Sequence, residues 1–89
     1  LVKTAQIFKA FSVAIRLEIL DLLKNGELCA CVLLDKLDLT QSGLSYHMKI
    51  LIESGIVTAR EEGKWVHYTI SEQGRQKIIQ MFLESTARN

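Results

Sequence analysis

A mostly helical domain with a two-stranded β wing, the winged helix-turn-helix arrangement, is predicted by three observations. The segment Thr40 to Gly55, TQSGLSYHMKILIESG, reads as a capped helix with an apolar stripe, a polar but nearly uncharged outer face and a glycine stop. After Gly55 the hydrophobic period changes from helical to alternating, which predicts a pair of strands. Before Thr40, helical patterns are punctuated by short turns, and no linker or low-complexity tract divides the chain. Residues 1–89 therefore read as one DNA-binding-type domain in the order helix, helix, helix, helix, strand, strand, helix.

Each element has its own physical signature. The first helix is read over Leu1 to Phe11, with Leu1, Ala5, Phe8 and Phe11 on one side and Val2 and Ile7 beside them. Ser12 is expected to cap a second helix that runs to about Lys24 and turns Ile15, Ile19, Leu22 and Leu23 inward. Asn25-Gly26 stops it. A short third helix spans about Ala30 to Leu37, with Leu33 and Leu37 one turn apart, and Asp38-Leu39 makes the tight turn that follows. The Thr40 hydroxyl can accept from an otherwise unpaired first-turn amide. Leu44, Met48 and Leu51 then form the apolar stripe, and Gly55 supplies the left-handed residue that ends the helix. Ile56 to Arg60 and Lys64 to Ile70 read as strands joined through Glu61-Glu62-Gly63. Ser71 caps a closing helix from Glu72 to about Ala87.

Composition excludes several functions. At 48% hydrophobic residues the chain is globular rather than disordered, yet no apolar run approaches a membrane span, so no membrane partner is expected. A formal net charge of +1 argues against a nonspecific polyelectrolyte binder, while a dimer can still bring two sets of local positive groups to one duplex. A chain this short buries a modest core, so association is an expected supplement. The two cysteines stand too close together to staple a fold, and nothing else points to an oxidising compartment; a cytoplasmic protein is expected. The sequence begins at Leu1 without Met and shows no secretory signal, and residues before Leu1 could hold a further ligand. Enzymatic function is not expected, because no carboxylate pair, Cys/His dyad or phosphate loop is found.

Helix, tight turn and capped polar helix make a DNA-reading unit that places the second helix in the major groove. Gln41, Ser42, Ser45, Tyr46 and Lys49 carry the amide, hydroxyl, phenol and ammonium groups that base edges and phosphates bond. Arg60 and Lys64 flank the hairpin tip, where they could reach phosphates or a minor groove, though Glu61 and Glu62 weaken that attraction. Trp65, His67 and Thr69 alternate with Val66, Tyr68 and Ile70, so one set should face the core. His67 is expected to be structural, and His47, beside Met48, to fill the side of its helix rather than touch a phosphate. The first and last helices are apolar over more than one stripe, Ile78 to Leu83 reading IIQMFL. Exposed apolar area of that kind marks a homodimer interface, and a twofold dimer would set two reading helices about 34 Å apart along the duplex. The competing reading is that both helices simply close a small core.

Three blocks carry a resemblance: Glu27-Leu28-Cys29-Ala30-Cys31, the Thr40 to Gly55 segment, and Glu62-Gly63-Lys64-Trp65-Val66-His67-Tyr68. In that order and spacing, from about Phe11 to Ile70, the chain resembles the ArsR/SmtB family of metal- and metalloid-responsive repressors, and its arsenic-responsive branch in particular. The resemblance implies a dimeric winged-helix repressor of a resistance operon that releases operator DNA when metal binds. It also implies that Gln41, Ser42, Ser45 and Tyr46 occupy the positions that read DNA. The family's Asp-Pro-Thr-Arg opening of the second helix is Val13-Ala14-Ile15-Arg16 here, a change expected to affect capping more than function. Val32 replaces an acidic residue and Leu34 stands where one arsenic-sensing subtype has a third cysteine. Without His or Asp in the closing helix the interfacial zinc site is missing, and without an N-terminal cysteine so is the tetrathiolate cadmium or lead site.

Cys29 and Cys31 are thus the metal-ligating candidates. Soft thiolates select ions such as Cu(I), Zn(II) and trivalent arsenic or antimony. Positions i and i+2 of a regular helix point to nearly opposite sides. With Cys29 before the helix and Cys31 in its first turn, both could reach one ion once that turn loosens, and a helix N-terminus lowers thiol pKa. The expected inducer is arsenite or another thiophilic ion, with no permanent cofactor. Arsenic bridging the two sulfurs, its third valence left to water or a small thiol, would distort the third helix and pass through Leu33 and Leu37 to weaken operator binding. Three alternatives stand beside this. The pair could be two small buried side chains. It could be a redox sensor acting by sulfenylation or a bridge to a partner subunit, since a disulfide between i and i+2 is expected to be strained. Or the domain could be an interaction module or thiol metal carrier that binds no DNA.

Overall fold

Residues 1–88, the part of the chain described by the computed structural model, form five helices and a three-stranded antiparallel sheet. The helices are α1 (Val2–Ala10), α2 (Ala14–Leu23), α3 (Ala30–Lys36), α4 (Gln41–Ser54) and α5 (Glu72–Ser85). The strands are β1 (Leu28–Cys29), β2 (Val57–Glu62) and β3 (Trp65–Ile70), with β3 in the centre.

Capping chemistry sets the helix starts. Thr40 Oγ1 accepts from the Gly43 amide at 3.0 Å and Ser71 Oγ accepts from the Gly74 amide at 2.9 Å, as the sequence predicts for both. Gly55 ends α4 with a φ of 88°. Ser12, however, does not cap α2. Its hydroxyl donates back to the Lys9 carbonyl at 2.7 Å, closing the end of α1, and α2 starts from Val13 with no side-chain cap.

The sheet departs from the predicted two-stranded wing. Leu28 pairs with Tyr68 and Cys29 with His67, so the segment after α2 adds a third strand to the free edge of β3. Two residues are too few to show an alternating period, and the pairing becomes favourable only because β3 offers its edge. The hairpin is also tighter than expected. Glu62 pairs with Trp65, which leaves Gly63-Lys64 as a two-residue loop in place of Glu61-Glu62-Gly63. Gly63 supplies the positive φ, 62°, that such a loop needs at its first position.

The core lies between the helices and one sheet face. Ile19 and Leu23 of α2, Leu33 of α3, Leu44, Met48 and Leu51 of α4, Val57 of β2 and Tyr68 of β3 are buried together. Gly74 is buried at the start of α5 against the Gly55 carbonyl, leaving no room for a side chain. The Ser71 amide adds a hydrogen bond to the Ile56 carbonyl at 2.8 Å, so α5 is tied to the end of α4. The apolar excess of the terminal helices is only partly covered. Ala10 is buried, whereas Val2, Phe8, Phe82 and Leu83 stay exposed, with the Phe8 and Phe82 rings meeting edge-on at 6.4 Å.

Candidate nucleic-acid interface and thiol pair

Turning Leu44, Met48 and Leu51 into the core leaves the opposite face of α4 to solvent. Gln41, Ser42, Ser45, Tyr46 and Lys49 are all exposed along it. Ser42 Oγ lies 3.3 Å from Thr40 Oγ1, so the first turn of the face is ordered by its own cap. α3 packs against α4 in front of the tight turn, which gives the two-helix geometry of a DNA reader.

Behind that face lies a residue whose role sequence reasoning missed. Arg16, in the first turn of α2, is buried with 3% exposure and, among the described residues, pairs with no carboxylate. Its Nε donates to the Ala10 carbonyl at 3.2 Å and one terminal nitrogen donates to the Lys9 carbonyl at 3.0 Å, so the last carbonyls of α1 solvate the charge. The other terminal nitrogen reaches His47 Nδ1 at 2.9 Å. His47 is half-buried beside the Tyr46 ring. Burial first, and the Arg16 charge second, hold its imidazole below the ordinary histidine pKa. His47 thus fills the helix side, as expected, but through a specific polar contact. A lone basic residue in the first turn of an apolar helix was the available sign.

The wing carries a second polar cluster. Cys29, His67 and Arg60 are aligned across the three strands by register. Glu27, just before β1, accepts from Arg60 through both oxygens at 2.6 and 3.2 Å, and Glu62 accepts from the same guanidinium at 2.9 Å. The Arg60 hydrogen bonds hold the Glu27 carboxyl below the usual carboxylate range. The two carboxylates in turn keep Arg60 firmly charged. His67 sits 3.9 Å from an oxygen of each carboxylate, a structural position. Arg60 therefore lies on the strand, occupied by two acids, not beside the tip. Lys64 is in the loop itself, its ammonium 5.6 Å over the Trp65 ring.

Cys29 is the N-cap of α3 and Cys31 its second residue. Because Cys29 has extended backbone, φ −67° and ψ 146°, its side chain is free of the divergence that a regular helix imposes. The Cα atoms are 5.2 Å apart, and the two sulfurs are joined as a disulfide. The sulfurs converge without any loosening of the first turn, joined across an i to i+2 spacing. Cys29 Sγ also accepts from the Cys31 amide at 3.2 Å. Cys31 is exposed and Cys29 half-buried, so the pair lies at the surface where β1 meets α3. Among the described residues no cluster of three or more His, Cys, Asp or Glu side chains is placed to hold a metal ion.

Comparison with known proteins places this geometry. The profile of the bacterial regulatory protein, arsR family, matches residues 14–59. An HTH-type transcriptional regulator of Methanocaldococcus jannaschii is 45% identical over 80 residues, covering 89% of this chain and 90% of its own. The arsenical resistance operon repressor of Staphylococcus aureus is 46% identical over 74 residues, covering 83% and 71% respectively. HlyU from Vibrio cholerae N16961 superposes with a TM-score of 0.74 at 32% identity, over 98% of this chain and 95% of that one. The helix-turn-helix, its wing and these sequence matches together show that the chain belongs to the ArsR family and is a DNA-binding regulator of transcription, not an enzyme.

Proposed function

We propose that this regulator is a homodimeric operator-binding repressor that releases DNA when trivalent arsenic or antimony bridges the reduced Cys29 and Cys31. One observation carries the reading: Cys29 and Cys31 bring both sulfurs to one surface point at the start of α3, the helix packed on α4. The relatives named as arsenical resistance operon repressors, in Staphylococcus aureus and Escherichia coli, support the choice of ligand. Arsenous acid would exchange two hydroxyls for the two thiol sulfurs, each hydroxyl leaving as water with one thiol proton, the third valence staying with hydroxide or a small thiol. The free dithiol is the competent form, so the disulfide must first be reduced.

Two routes lead from the thiols to DNA. Leu33 of α3 is buried against the core that holds α4, and Leu37 follows one turn later. β1, which ends in Cys29, pairs with the central wing strand. On this reading Gln41, Ser42, Ser45, Tyr46 and Lys49 bond the major groove and its phosphates, and Lys64 meets backbone from the wing tip. Arg60 reaches phosphate only by leaving Glu27 and Glu62, so its larger part is to brace the wing. Such a repressor works where the chromosome is, in the cytoplasm, and no described helix is long and apolar enough to cross a membrane.

The test is a gel shift on the duplex upstream of the chain's own gene, with thiols reduced, for the parent and a Cys29→Ser/Cys31→Ser variant. Arsenite should release the parent and leave the variant bound; unchanged parent affinity would refute the reading. The disulfide favours one second reading, a redox-sensing repressor. Peroxide without arsenite separates the two, since only a redox sensor loses DNA to peroxide and regains it on reduction.

A further inference from the structure

We propose that Arg16 is a positioning residue for DNA reading: fixed on the last carbonyls of α1, it clamps neutral His47 and so sets the reading face of α4, and protonation of His47 breaks the clamp. The proposal rests on the DNA-reading role of α4. A guanidinium has only donors, so His47 Nδ1 at 2.9 Å from Arg16 must be the bare, accepting nitrogen. That fixes the tautomer, with the proton on Nε2. Adding a second proton places an N–H against an N–H and a cation against a cation. The contact and the charged imidazole exclude one another.

The clamp joins three helices. Arg16 belongs to α2, its carbonyl partners Lys9 and Ala10 to α1, and His47 to α4 directly after Tyr46. Of the charged groups around this junction, Arg16 is the one that bears on the imidazole. Lys9 of α1 and Lys49 and Glu53 of α4 border the shallow hollow beside Tyr46. α3 and β2 also pack on α4, and among the described residues none of their charged side chains, Asp35, Lys36, Arg60, Glu61 and Glu62, hydrogen-bonds His47.

The sign of the pH effect identifies the mechanism. A free surface histidine gains charge in acid and strengthens phosphate binding. A clamped His47 does the opposite. Its imidazole is held below the ordinary value of 6.5, so the clamp is complete above that pH and is lost as pH falls through the lower folded-state value.

The test measures fluorescence anisotropy of the upstream duplex at fixed salt between about pH 7.5 and about pH 5.5. Parent affinity should fall severalfold while circular dichroism stays native, less than an unshifted histidine would allow because the imidazole is held below 6.5. His47→Asn, whose Oδ1 stands where Nδ1 does but cannot titrate, should lose the decline whatever its affinity at the upper pH. Affinity that is flat or rises in acid, or a decline that His47→Asn retains, would overturn the proposal. Nitrogen-15 spectra of the imidazole provide a readout free of DNA. They should show protonated Nε2 and a titration point below 6.5 in the parent, rising only part of the way in Arg16→Gln, which removes the cation while burial, the larger cause, remains. A protonated Nδ1 at neutral pH would overturn the clamp. A correct imidazole signature without DNA binding at any pH would instead sink the DNA-reading role and spare the clamp.

Discussion

Single atoms decide how α5 meets the rest of the molecule. A Cβ at Gly74 would lie inside the van der Waals shell of the Gly55 carbonyl oxygen, and that oxygen is backbone with no rotamer to escape into. Gly55 cannot move away freely, because its positive φ of 88° terminates α4. Relief must come from a shift of α5, which would strain the Ser71-to-Ile56 backbone bond of 2.8 Å. Overpacking of this kind destabilises by about 1–3 kcal/mol. Gly74→Ala is therefore expected to lower the unfolding free energy by that amount, read as a lower urea midpoint with an unchanged slope, and an unaltered midpoint would show that α5 is not seated on Gly55. Nothing in the sequence around Gly74 marks this role. It sits inside a helical pattern where glycine is merely unfavourable, and its purpose exists only once two distant backbones meet.

Among elements, β1 is the piece that ties the thiol segment to the wing. Its two ladder positions are supplemented by Glu27, whose carboxylate holds Arg60 of β2 across the central strand and also lies 3.4 Å from the Thr69 hydroxyl. These groups are solvent-exposed, so the ion pair contributes little to global stability and much more to where β1 sits. Glu27→Gln should speed hydrogen exchange at the β1 and β3 amides while leaving the thermal midpoint nearly unchanged. The parent should show the same local loosening in acid. The carboxyl is depressed below its ordinary 4.5, so the tie is complete above that pH and is lost as pH falls through the lower folded value. Exchange rates that ignore both changes would mean that the ladder alone holds β1. Sequence pattern was enough for the five helices, the caps Thr40 and Ser71 and the hairpin, because each has a local periodic or capping cause. The exposed polar face of α4 followed from the same stripe that buries Leu44, Met48 and Leu51. What stayed hidden was long-range: β1 exists through Tyr68 and His67, Arg16 acts through residues on two other helices, and Arg60 is occupied by an acid 33 positions away.

At the scale of the whole molecule, the uncovered apolar surface of α1 and α5 asks for a partner. Phe82 and Leu83 are 51% and 57% exposed and Val2 77%, although a soluble chain gains by hiding such side chains. A hollow lined by Leu17, Leu20, Ile78 and Ile79, with Asp21 and Arg75 at its border, opens between α2 and α5. If a second copy covers it, both reading helices are held by one rigid body, and Arg16 connects that body to each α4 through the end of α1. Binding two half-sites then becomes a single event, and breaking the dimer should cost far more affinity than the loss of any one contact to DNA. Phe82→Glu puts a charge on that surface at a position 51% exposed, beside the exposed Phe8 ring, so the monomer fold should persist by circular dichroism. Sedimentation should show the parent as a dimer and the variant as a monomer. Affinity for the upstream duplex should drop by about a hundredfold or more, the size expected when an avidity is lost. A variant that still sediments as the parent does would place the interface elsewhere, and a monomeric variant with undiminished affinity would show that one copy reads DNA alone.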